Sequence, residues 1–96
     1  EFICQCAQQE YPNSVISALR LILPRNEQDW PKYRYNPQSQ QNCYAIGPND
    51  TRRLFLAAVG YDKPGFHLVQ ASGDMEGRSL PNTRAYEVFG WKPQNE

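Results

Sequence analysis

Apolar and polar residues roughly alternate over Phe2-Ile3-Cys4-Gln5-Cys6-Ala7, which predicts a strand with Phe2, Cys4 and Cys6 on one face. The pattern then lengthens. Val15, Ile16, Leu19, Ile22 and Leu23 recur at helical spacing behind an Asn13 or Ser14 cap, and Pro24 closes the run, so 14–23 reads as an amphipathic helix. Lys32-Tyr33-Arg34-Tyr35 alternates basic and aromatic residues as a half-exposed strand does, and PQSQQN at 37–42 has turn composition.

Cys43-Tyr44-Ala45-Ile46 predicts a further short strand ended by Gly47-Pro48. A helix over 52–59 follows, with Leu54, Phe55, Ala58 and Val59 on one side and Gly60 as a left-handed C-cap. Phe66–Ala71 is the clearest strand, and Ala85–Trp91 reads as another after a glycine-containing excursion over 72–83. The predicted order is β-α-β-β-α-β-β. It implies an α+β fold: two helices on one face of a mostly antiparallel four- to five-stranded sheet, in the split βαβ, ferredoxin-like arrangement. The crossover rule then places the first strand between the third and fourth.

Ninety-six residues suit a single domain, taken as 1–92 with a polar tail over 93–96. The absence of an initial methionine reads as a chain cut from something longer. Ten basic and ten acidic side chains cancel, so no global field draws the protein to nucleic acid or an anionic membrane. No apolar run, Leu21-Ile22-Leu23 included, is long enough to span a bilayer. The compartment is not fixed by sequence, with a lean toward secreted or otherwise extracytoplasmic.

The stretch AIGPNDTRRLF at 45–55 invites a phosphate-cradle reading, which the residues argue against. It holds one glycine, Pro48 has no N–H, and Asn49 or Asp50 serves better as a helix cap. Arg52 and Arg53 then fall in a helix first turn, unfavourably for the dipole, and either pair with Asp50 or Asp62 or face an anionic partner.

Cys4, Cys6, Cys43 and His67 are the only metal-like set, but a strand-borne C-x-C lacks the spacing of structural zinc sites. Plain burial is favoured over a disulfide from Cys43 to Cys4 or Cys6, and that over zinc. A Cys/His redox or nucleophile pair meets the same objection, since no cysteine lies at a predicted helix start. The acids Asp74 with Glu76, and Glu27 with Asp29, lie in loops as ordinary solvated charges. Neither enzymatic activity nor a cofactor is expected.

Trp30-Pro31-Lys32-Tyr33-Arg34-Tyr35 carries the strongest surface signal. Aromatics beside cations suit a protein hot spot or stacking on single-stranded nucleic acid, and zero net charge favours the protein partner. The expected function is a non-catalytic binding or accessory domain. It engages a protein through Trp30, Lys32, Tyr33, Arg34 and Tyr35, with Arg52 and Arg53, and single-stranded RNA binding is the alternative. This reading rests on a helix at 14–23 and on Tyr33 and Tyr35 lying outside the core.

Overall fold

A computed structural model describes residues 1–38 and 44–96. The order is α1 (Phe2–Glu10), β1 (Val15–Leu21), α2 (Trp30–Tyr33), α3 (Pro48–Gly60), β2 (Gly65–Ala71) and α4 (Thr83–Phe89). Among the described residues the sheet has two strands, and β1 runs parallel to β2 with Val15 opposite Gly65 and Leu21 opposite Ala71. This overturns the α+β expectation of a four- to five-stranded antiparallel sheet.

The central correction is at 15–21, which is a strand and not a helix. Val-Ile-Ser-Ala-Leu-Arg-Leu is apolar on both of its faces, as strands of parallel sheets are when helices cover both sides. Such a run satisfies helical spacing without being helical. Its odd positions Leu19 and Leu21, with Val69 and Ala71 of β2, meet Leu54 of α3, Ala85, Val88 and Phe89 of α4, and Trp91 in the core. Its even positions face α1, where Arg20 pairs with Glu1.

Phe2–Glu10 is a helix with no buried residue, so the predicted strand face of Phe2, Cys4 and Cys6 does not exist. Residues 30–33 form a helical turn, and Arg34 is extended beyond it. Ala85–Trp91 is not a strand either: α4 spans 83–89 and ends on Gly90, whose φ of 67° is the left-handed cap conformation. Ile46 makes only an isolated bridge to Pro24, with Arg25 N–H donating to Ile46 C=O at 3.1 Å. Cys43 and residues 39–42 of the predicted turn lie outside the described residues.

The helix and strand predicted over 52–59 and 66–71 are present as α3 and β2, and α3 starts earlier than expected. Its N-cap is Gly47, with Pro48 first inside, so neither Asn49 nor Asp50 is the cap and Arg52 and Arg53 fall in the second turn. The dipole conflict expected of the two arginines therefore does not arise. Gly60 is the last helical residue and not a left-handed cap. Gly73 passes so close to the chain at Ala45 that a Cβ would lie 1.8 Å from the Ala45 carbonyl oxygen.

Two buried carboxylates fix what the small core leaves open. Asp50 accepts from Arg53, from the amide of Gln94 at 3.0 and 3.1 Å and from that of Glu96 at 3.2 Å. Its own carbonyl accepts from Trp91 Nε1 at 3.0 Å. The polar tail is thereby tied to the first turn of α3. Asp74, 2% exposed, accepts from the amides of Glu76, Gly77, Ser79 and Leu80, which organises the loop over 74–80. Among the described residues, no helix is long and apolar enough to cross a membrane.

Candidate functional site

The chain leaves β1 through Leu23, whose φ of 47° turns it, and Pro24 sets Arg25 beside Ile46. Asn26 then launches α2: its side-chain oxygen accepts from the Asp29 amide at 2.8 Å and its carbonyl from the Trp30 amide at 2.9 Å. Trp30 is buried against Gly47, where a Cβ would come within 2.8 Å of the indole. It anchors the turn and is not part of the available surface.

One helical turn on, Tyr33 is 40% exposed, and the Arg25 guanidinium carbon lies 4.0 Å from its ring centroid. That is close cation–π geometry. Lys32 and Arg34 precede and follow it in sequence, and both are exposed. Among the described residues, neither they nor Arg25 takes part in an ion pair, and Arg25 Nε is buried without a hydrogen-bond partner. A neutral chain thus sets one cation on the Tyr33 ring and places two more, Lys32 and Arg34, beside it in sequence.

The other predicted residues are placed differently. Tyr35 is half-buried: its hydroxyl donates to Glu76 at 3.0 Å, and its backbone exchanges two hydrogen bonds with the Asn95 side chain. The bond to Glu76 raises its pKa above the ordinary phenol value. Arg52 is held by Glu27 and Asn49. Arg53 is held by Asp50 and the Lys92 carbonyl, with its guanidinium 6.0 Å from the Trp91 ring. The structure brings Tyr33 together with Arg25 and leaves Lys32 and Arg34 exposed beside it in sequence, while Trp30, Tyr35 and the α3 arginines are engaged elsewhere. Sequence reasoning missed Arg25, because nothing in Leu-Pro-Arg-Asn signals a contact eight residues ahead.

The other constellations are dispersed. Cys4 and Cys6 are free thiols on α1, and Cys43 lies outside the described residues. His67 stands edge-on to Tyr61 with centroids 4.8 Å apart, its Nε2 3.2 Å from the Lys63 carbonyl oxygen. Among the described residues, no three His, Cys, Asp or Glu side chains converge to hold a metal. Asp74 is occupied by backbone amides, Glu76 by Tyr35 and Arg78, and Glu27 by Arg52. Comparison with protein families, with curated proteins and with solved structures finds no match.

Proposed function

We propose that this chain is a small non-catalytic binding domain that engages an acidic segment of a protein partner through Arg25, Lys32, Tyr33 and Arg34. The observation that carries the reading is the half-exposed Tyr33 ring, stacked on one side by Arg25 and neighboured in sequence by two exposed cations with no ion pair among the described residues. Aromatic and arginine side chains give protein interfaces their strongest anchors. Complementary charge adds on-rate and partner choice.

Single-stranded nucleic acid fits less well. It is held by successive aromatic platforms along a basic groove. Here one ring is presented, since Trp30 is buried and the Tyr35 hydroxyl is engaged by Glu76.

Fluorescence anisotropy separates the two, using a labelled Glu-rich peptide containing one tyrosine and a labelled oligouridylate, each at low and moderate salt. The peptide is expected to bind. Combined Tyr33→Ala and Arg34→Ala substitution should weaken that binding roughly tenfold or more while circular dichroism is unchanged. Preferential binding of the oligonucleotide with a steep salt slope would replace the protein reading, and binding to neither probe would end both.

A further inference from the structure

The outer edge of β1 is an unanswered demand of the fold. The Gly65 amide donates to the Ser14 carbonyl and the Ile22 amide to the Ala71 carbonyl. Even-numbered residues of β1 therefore direct their backbone groups toward β2, and Val15, Ser17, Leu19 and Leu21 direct theirs outward. Among the described residues no strand lies beyond them. Exposed edges are ordinarily blunted by lysine, proline or a bulge. β1 has none of these, and its one charge, Arg20, is on the α1 face in a pair with Glu1.

The same edge is walled by apolar side chains. Val15, Ser17 and Leu19 form one side of an open groove of about 340 Å³, and Phe55, Ala58 and Val59 of α3 form part of the other. These walls carry no charge. Phe55 is 48% and Val59 84% exposed, more than a finished α/β surface leaves to aromatic and β-branched residues of a core-facing helix. Within the groove, the Ser17 hydroxyl oxygen is buried and has no hydrogen-bond partner among the described residues.

We infer that a second copy of this chain occupies the groove, its β1 adding antiparallel to β1 about a two-fold axis through Ser17. This register pairs three of the four outward-facing residues of the edge and satisfies Ser17. Residues 15, 17 and 19 meet residues 19, 17 and 15 of the second copy, so outward-facing backbone groups pair with outward-facing ones. Val15 lies opposite Leu19, and each Ser17 hydroxyl meets its symmetry mate, a cross-strand pair that gives the orphaned oxygen its partner. Arg20 lies opposite Ser14, so no like charges face one another. A two-fold axis through Ala18 would instead set Ser17 against Leu19 and leave the hydroxyl orphaned. A parallel in-register pairing would set outward-facing residues directly opposite one another, whereas the slanted bonds of a parallel ladder need them offset by one.

The product is a four-stranded sheet in the order β2-β1-β1-β2, with Phe55 and Val59 of each copy covering the new strand pair. Such isologous closure is the commonest form of assembly, and it replaces a two-strand sheet by one within the ordinary size range.

Light scattering on the full chain, from micromolar to millimolar concentration, tests the inference. A mass of twice 11.1 kDa is expected, with the amides of Ser17 and Leu19 protected from hydrogen exchange in the dimer. Ser17→Lys sets two ammonium groups against each other at the axis and should raise the dimer dissociation constant about 100-fold or more, whereas Ser17→Thr keeps the hydroxyl and stays dimeric. Because Ser17→Lys could disturb folding, Val59→Lys on the exposed face of α3 is the second variant, with circular dichroism confirming both folds. Tyr33→Ala with Arg34→Ala lies on another surface and should leave the mass unchanged. A monomer at millimolar concentration, open-ended growth in place of a dimer, or dimers that survive both lysine variants would overturn the inference.

Discussion

Two carboxylates and one phenol carry a disproportionate share of the order in this small protein. Removing the Asp50 side chain would strand the amides of Gln94 and Glu96 and deprive Arg53 of its ion-pair partner. Asp50→Ala should therefore cost about 3 kcal/mol, read as a lower urea midpoint with unchanged slope. Tyr35 supplies the pH dependence. Its hydrogen bond to Glu76 favours the neutral phenol and raises its folded-state pKa. The stability this contributes is present below the unfolded pKa and is lost as pH rises through the higher folded one. Ultraviolet titration of the tyrosines should show one late-ionising phenol that moves back toward the others in Glu76→Gln. No such movement would dissociate Tyr35 from that carboxylate.

At the level of elements, Gly73 makes a sharper test than any helix residue. It lies against the strand-like passage through Ala45, and a methyl group there meets backbone, which cannot swing aside. Gly73→Ala should destabilise by about 2 kcal/mol or more in a denaturant titration, whereas Gly77→Ala, with open space around it, pays only for its left-handed φ of 68°. What the sequence disclosed about the elements follows from how much of each pattern was unambiguous. α3 and β2 were readable because an apolar stripe closed by Gly60, and a β-rich run entered from Lys63-Pro64-Gly65, each admit one interpretation. β1 was not, since apolar residues on both faces erase the period-two signal, although Val15 and Ile16 are β-branched and favour a strand. α4 did carry a helix signature, with Asn82 before it and Gly90 after it, but Tyr86, Val88 and Gly90 also suit one strand face. The surface around Tyr33 was visible as a cluster of residue types. Its composition was not, because Trp30 turns inward and Arg25 arrives from across a turn. The helix over 14–23 that was to support this surface is absent, so the proposal now rests on the observed exposure of Tyr33.

Across the whole molecule, which measures 48 × 26 × 21 Å, the C-terminal residues act as a clasp. Asn95, itself at a φ of 62°, binds both backbone groups of Tyr35, and Glu96 C=O accepts from Asn49 N–H at 3.0 Å. Ending the chain after Pro93 removes these bonds together with those to Asp50. The truncated protein should melt roughly 10 °C lower, as expected for a loss of about 2 kcal/mol in a domain of this size. An unchanged melting temperature would show that the core of Ile46, Leu54, Val69 and Trp91 holds the fold without it.

The parallel pairing of Val15 with Gly65 also has a consequence in time. A ribosome adding about 5–20 residues per second releases β1 roughly 3–10 s before β2 exists. A nascent chain carrying Val-Ile-Ser-Ala-Leu-Arg-Leu therefore spends seconds with a sticky segment and no native mate, the interval in which chaperones capture such segments. Its yield in cells should depend on them more than its length alone would suggest.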